Sequence, residues 1–230
     1  MHLLLTNDDG FDAPGLRCLR RAAVELGADR ITVVAPLQEQ SMCGHRLTTR
    51  EPIKVAQMEP DFWTVDGTPG DCVRIGLHAL GLKPDWVLSG VNAGGNLGQD
   101  MVISGTCAAA REAAYHGVPA AALSHYMRRE WSVDWERCAQ WSASLLRGLL
   151  QQPCPNGRWW CVNFPHLPAG DLPLPECVQA VAARSPLPVA FVEVDGGFLY
   201  QADYSSRGRD RGSDVEACFG GRVSMVWDHV

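Results

Sequence analysis

No apolar run in this 230-residue chain approaches the roughly 20 residues that span a bilayer. The short N-terminal stretch "HLLLT" has neither the basic flank nor the small-residue cleavage site of a signal peptide. Positive charge is in deficit, at a formal net of -6, so a nucleic acid polymer is not the expected partner; a small anion still fits where a metal or helix ends supply local positive charge. The nine cysteines are an odd number and include no C-x-x-C pair, which argues against a zinc site and against a complete disulfide framework. Cys18, Cys72 and Cys138 fall on apolar helical faces and read as reduced core residues, so the expected setting is reducing and cytoplasmic. Internal repeats, low-complexity tracts and clear linkers are also missing, which points to one domain over 1–230, with a core to about 185 followed by a β arm and a C-terminal segment.

What is there is a βα rhythm. "HLLLT", "ITVVAP" (31–36), "DWVLSG" (85–90), "VPAAALS" (118–124) and "WWCVNFP" (159–165) are near-continuous apolar runs, the mark of strands buried on both faces. Between them lie amphipathic helical segments: one from about Pro14, with Asp12 as N-cap and Gly27 past its end; "RIGLHALG"; "GTCAAAREAAYHG"; and 135–152. The pattern demands an α/β fold, Rossmann-like and doubly wound, around a mostly parallel sheet. Two alternating stretches, 53–67 about Pro60-Asp61 and 188–206 about Asp195-Gly196-Gly197, read as protruding β-hairpin arms. A helical turn and a last strand close the chain. The tryptophans of the second half, among them Trp131, Trp135, Trp141, Trp159 and Trp160, are read as core.

In such a sheet ligands bind beyond the carboxyl ends of the strands. There the sequence places Asn7-Asp8-Asp9-Gly10 after the first strand, "PLQEQSMCGH" with Ser41, Gly44 and His45 after the second, and "SGVNAGGNLGQDMVISGT" after the third. An Asp-Asp-Gly turn alone is an ordinary capped, solvated turn; after the first strand of a parallel sheet, its paired carboxylates call for a divalent cation to relieve their repulsion. Magnesium and manganese suit carboxylate and amide oxygens. "NAGGNLG" lets backbone amides approach an anion, and "SGT" opens a helix whose free amides favour phosphate, although Ser104 serves equally as a plain N-cap. His45 is either a phosphoryl-stabilising or acidic group or a hydrogen-bonded loop histidine. Arg111 and Glu112 read as an exposed pair, and Gly67-Thr68 as a helix start near the pocket.

"LLLTNDDGFDAPGL", "VVAPLQEQSMCGHRLT", "VDGTPGDCV", "SGVNAGGNLGQDMVISGTCAAARE" and "VNFP" stand in the order and spacing of the SurE family, stationary-phase survival proteins that act as 5'/3'-nucleotidases, and the chain resembles that family most clearly over its first 125 or so residues. The resemblance implies a metal-dependent phosphatase of nucleoside monophosphates holding one Mg²⁺ or Mn²⁺ per subunit. Asp8 and Asp9 match the family's metal carboxylates, Ser41 and Asn92 its other ligands, and Asn96, Ser104, Gly105 and Thr106 its phosphate contacts. It also implies a homodimer, or a tetramer, built by exchange of β arms and C-terminal segments. Leu37 and Ile103 depart from the usual Asp and Tyr, and "GSD" (212–214) and "SMVWD" (224–228) replace the family's C-terminal motifs, which weighs against the tetramer.

The mechanism expected from these residues has water as nucleophile with Asp8 accepting its proton, and direct attack by Asp8 as its rival. A nucleotide-binding regulator with weak or no catalysis is the alternative from another class. A receiver domain is disfavoured because Ser89-Gly90 stands where its phosphorylatable Asp belongs, haloacid-dehalogenase phosphatases want D-x-D, and a dinucleotide enzyme wants G-x-G-x-x-G after the first strand.

Overall fold

The structure is a computed structural model that describes residues 1–128 and 131–230. Its elements run β1 (His2–Thr6), α1 (Pro14–Glu25), β2 (Arg30–Pro36), β3 (Val55–Glu59), β4 (Phe62–Val65), α2 (Pro69–Arg74), β5 (Trp86–Ala93), α3 (Asp100–Ile103), α4 (Gly105–Tyr115), β6 (Ala120–His125), α5 (Trp135–Leu149), β7 (Arg158–Phe164), β8 (Cys177–Ala180), β9 (Phe191–Val194), β10 (Gly197–Tyr200), α6 (Asp214–Phe219) and β11 (Val223–His229). Nine strands form one sheet in the order β3-β4-β2-β1-β5-β6-β7-β11-β8, parallel except where β3 meets β4 and β11 meets β7. Its α/β, mostly parallel character is the one the sequence calls for.

Period-two alternation explains why these strands are apolar throughout. Leu3 and Leu5 pack with Leu16, Leu19 and Leu146 of α1 and α5, whereas Leu4 between them packs with Val73, Ala109 and Ala113 of α2 and α4. Each of these leucines is fully buried, an effect that contributes about 1.5–3 kcal/mol per side chain. Trp141, Trp159 and Trp160 are buried, as expected of core, while Trp131 and Trp135 are half-buried. Among the described residues no helix is long and apolar enough to cross a membrane.

Three local readings change. Ala13, not Asp12, is the N-cap of α1, and no side chain bonds the helix start there. The segment "RIGLHALG" begins as α2 but widens at Ile75–Ala79 into a π turn. The 53–67 hairpin is not a protruding arm: β4 pairs parallel with β2 and buries Thr64 and Val65, so β3-β4 forms the sheet's edge. Among the described residues only β9-β10 stands free of the sheet, paired antiparallel about Asp195-Gly196 with every strand residue exposed. After it the chain returns, and β11 lies inside the sheet between β7 and β8.

The topology fixes where a ligand can lie. From β1 the chain moves outward to β2 and β4, then crosses back to β5 on the other side of β1, and goes on to β6 and β7. The crevice at this reversal opens beyond the carboxyl ends of β1 and β5, just past Thr6 and at Asn92.

Candidate active site

A cavity of about 1070 Å³ occupies that crevice. Asp8, Asp9, Ser41, Asn92, Asn96 and Ser104 all line it, so residues from three loops of the sequence meet in one place. Asp12, Glu39 and Asp100 add further carboxylates, and no Lys, Arg or His is among the described residues that line it. Ile103 forms part of the wall, as do Leu187, Pro188, Tyr200 and Tyr204 from the two ends of the β9-β10 hairpin.

Asp8 is buried, at 4% exposure, because α4 starts against it. The Thr106 backbone N–H donates to its Oδ2 at 3.0 Å and the Thr106 hydroxyl to its Oδ1 at 2.5 Å. Burial pushes the Asp8 carboxyl up to about 6, the Thr106 bonds pull the other way, and the neighbouring Asp9 charge adds to the rise. Asp9 is also raised, chiefly by burial, with the Ala93 N–H opposing from 3.2 Å and Glu39 reinforcing. Two adjacent acids are thus held where ionising both is unfavourable, a cost that a cation beside them would relieve.

The donor chemistry fits one. Asn92 commits its amide N–H to the Gly94 carbonyl at 2.8 Å, which leaves its amide oxygen on offer, and the Ser41 hydroxyl donates to Glu39 at 2.6 Å, which leaves its lone pairs. No three His, Cys, Asp or Glu among the described residues gather as a metal cage, so a cation here would rest on two carboxylates plus hydroxyl and amide oxygens, the set preferred by Mg²⁺ or Mn²⁺.

The anion-facing side is equally constrained. Asn96 is fixed twice: its backbone N–H donates to Asn163 Oδ1 and its side-chain amide to Ser124 Oγ, both at 2.7 Å, and one amide hydrogen is left over. Ser104 caps α4 by accepting from Cys107 N–H at 3.1 Å and keeps its own hydroxyl proton. Gly105 is required by the close approach of Asp8: an added Cβ would lie 2.9 Å from the Asp8 Cβ and 3.0 Å from Cys43 Sγ. Gly105→Ala is therefore expected to displace Asp8 and lower kcat about tenfold or more, with a stability loss of about 1–3 kcal/mol, read by steady-state phosphate release and thermal melting.

Three expected positions are placed elsewhere. Thr106 is fully buried and spends both donors on Asp8, so it holds the carboxylate and does not face an anion. Gly44 donates to the Ile103 carbonyl at 3.0 Å, and His45 turns away from the cleft into a separate hollow with Leu47, Arg74 and Tyr115. There His45 Nε2 meets Glu112 Oε2 at 2.7 Å. Glu112 is no exposed partner of Arg111 but a carboxylate 2% exposed, bonded also by Arg74 and His116. Arg111 instead donates to the Met101 carbonyl and lies over the Trp159 ring. Thr68 caps α2 in a reciprocal box with Asp71, outside the cleft.

Burial raises the Glu112 carboxyl, but hydrogen bonds from His45, Arg74 and His116 outweigh it and hold the group at about 2, below its ordinary 4.5. A lowered folded value means that the stabilisation is complete above the unfolded pKa and is lost as pH falls through the folded one. Because Arg74 is partly exposed and screened, the contribution is on the order of 1–2 kcal/mol. Urea unfolding of Glu112→Gln should show a deficit at neutral pH that narrows as pH drops to about 3.

A clamp on the glycine-rich loop leaves no local signal in the sequence. Arg207, 3% exposed, donates to Asp100 Oδ2 at 2.6 Å and to the Leu97 carbonyl at 2.8 Å, and Tyr204 donates to the same Asp100 oxygen at 2.6 Å. Asp214, at the start of α6, accepts from the Gly98 N–H at 2.7 Å. The stretch from Asn96 to Asp100 is thereby held from the far end of the chain.

Comparison with known proteins identifies the family. A family model described as Survival protein SurE matches residues 3–184. The 5'-nucleotidase SurE of Geotalea daltonii is 43% identical over 236 residues, covering 100% of this chain and 93% of that protein. Its counterpart in Paramagnetospirillum magneticum is 38% identical over 231 residues, covering 98% and 88%. The crystal structure of the SurE protein from Aquifex aeolicus superposes with a TM-score of 0.85 at 33% identity, covering 100% of this chain and 93% of that one. The chain belongs to the SurE family.

Proposed function

We propose that this protein is a metal-dependent phosphomonoesterase that hydrolyses nucleoside 5'-monophosphates, and 3'-monophosphates as well, to nucleoside and phosphate. The observation that carries the reading is a cleft lined by the adjacent carboxylates of buried Asp8 and half-buried Asp9 and by the Asn96 and Ser104 donors, with no basic side chain among the described residues that line it. A phosphate dianion facing Asp8, Asp9 and Glu39 without a cation would be repelled. The 5'-nucleotidase name carried by the relatives supports the same chemistry.

In this proposal Asp8, Asp9, Ser41 and Asn92 hold one Mg²⁺ or Mn²⁺. The bound ion supplies charge neutralisation at the phosphoryl oxygens and acidifies water. Asn96, the Ser104 hydroxyl and the Gly105 N–H at the start of α4 bind the remaining phosphate oxygens and hold the phosphorus in line. Thr106 keeps Asp8 aimed at the cleft, and Asp8 takes the proton of the attacking water. The apolar hairpin root, Leu187, Pro188 and Tyr200, flanks the nucleoside. The exposed Phe191, Val194, Phe198 and Leu199 of that hairpin give a second copy an apolar arm to pair with, so a homodimer belongs to the proposal.

The test is phosphate release from AMP, GMP and CMP and from 3'-AMP, with Mn²⁺ supplied. Release from both positional isomers supports the reading, and tight nucleotide binding without release would favour a regulatory protein.

A further inference from the structure

We propose that His45, through Glu112, is a positioning residue for the Ser41 loop, and that the strength of cation binding in the cleft depends on this remote latch. The inference rests on the proposed role of Ser41 as a metal ligand.

Residues 37–54 join β2 to β3 with no helix or strand of their own, and Ser41 lies within this connection. Upstream of Ser41 the loop is pinned by Gln40, whose N–H donates to the Asp8 carbonyl at 2.7 Å. Downstream, the turn carries Met42 at φ 58°, a left-handed conformation that a residue with a side chain adopts only when its surroundings impose it. Met42 makes no compensating burial, being 78% exposed. The turn is held closed by two backbone bonds, Cys43 to Gln40 at 3.2 Å and Gly44 to Ile103 at 3.0 Å, by Arg46 Nη2 donating to Gln40 Oε1 at 3.0 Å, by the Thr68 hydroxyl donating to the Arg46 carbonyl at 2.6 Å, and by the His45–Glu112 bond at 2.7 Å, which alone of these ties a loop side chain to α4.

Glu112 is a firm anchor because it is buried and fixed by Arg74 and His116 as well. It also lies on α4, the helix whose first turn holds Asp8 through Thr106. His45 thus joins the loop that carries one proposed ligand to the helix that orients another. Removing the imidazole cuts the tie to the buried Glu112 and leaves the turn on its backbone bonds, the exposed Arg46–Gln40 contact and the Thr68 bond to Arg46, so Ser41 is held less firmly relative to Asp8.

Mn²⁺ titration calorimetry on the full-length metal-free protein tests this, with circular dichroism and melting run alongside. His45→Ala should weaken Mn²⁺ binding about tenfold, the scale of outer-shell effects on metal affinity, while His45→Gln, which can still donate to Glu112, should stay within about twofold of the parent. Ser41→Ala should weaken binding too, and Ser41→Ala/His45→Ala should bind no more weakly than Ser41→Ala, since His45 acts through Ser41. Unchanged affinity in His45→Ala, or fully additive losses in the double variant, overturns the latch while leaving the ligand set standing. Unchanged affinity in Ser41→Ala overturns the ligand role of Ser41 and the latch with it. If His45→Ala folds poorly, His45→Asn, too short to reach Glu112, gives the same reading.

Discussion

Asp8→Asn is expected to cut phosphate release from AMP by about 10³-fold or more while leaving the fold intact or slightly more stable. The two effects part because they have different origins. Catalysis loses a proton acceptor and a charged oxygen for the cation. Stability loses nothing comparable: the amide is isosteric, its oxygen can still accept the Thr106 N–H, and its N–H₂ can donate to the Thr106 hydroxyl once that hydroxyl turns. What disappears is the cost of a nearly buried carboxylate beside Asp9. Steady-state kinetics with saturating Mn²⁺ and a parallel thermal melt check both halves. Near-normal turnover would remove Asp8 from the chemistry, and trapping a phospho-aspartate in the parent protein would replace water by Asp8 as the nucleophile.

Arg207→Ala should be the most destabilising single change near the site, by about 3–5 kcal/mol in urea unfolding. The guanidinium is buried, and its loss removes the countercharge of the Asp100 carboxylate, which keeps the Tyr204 hydroxyl and Leu97 N–H bonds, and takes away a donor of the Leu97 carbonyl. Arg207→Lys should recover little of the loss, because one ammonium cannot reproduce the two-pronged contact in which Nη1 serves Asp100 and Tyr204 while Nη2 serves Leu97. Asp100 opens α3, which leads straight into Ser104, so the variant should also raise KM for AMP under conditions where it remains folded.

Much of this molecule is written locally. β1, β2, β5, β6 and β7 are legible because a strand covered on both faces has to be apolar at every position, and the ligand crevice follows from the strand ends. Asp8, Asp9, Ser41, Asn92, Asn96 and Ser104 were found by that logic and do converge on one cavity. Features that depend on distant pairing were not legible. The alternation of 53–67 is the same whether the hairpin protrudes or joins a sheet, and only the pairing of Phe62 with Val33 decides it. Glu112 looks like any helical surface acid until His45 and Arg74, 67 and 38 residues away, are folded against it. The Tyr204–Arg207 clamp comes from 104 and 107 residues beyond Asp100, in a stretch with no periodicity to mark it.

The dependence of the reaction on a divalent cation is the point on which the cleft's acidity, the lack of basic side chains among its described lining residues and its oxygen donors all bear. The direct measurement is phosphate release from AMP by the full-length protein, first after EDTA treatment and then after addition of Mn²⁺ or Mg²⁺. The expected result is loss of release to background with EDTA and its recovery on adding either ion, with Asp9→Asn recovering only at a higher ion concentration. Release that continues undiminished in EDTA would contradict the account.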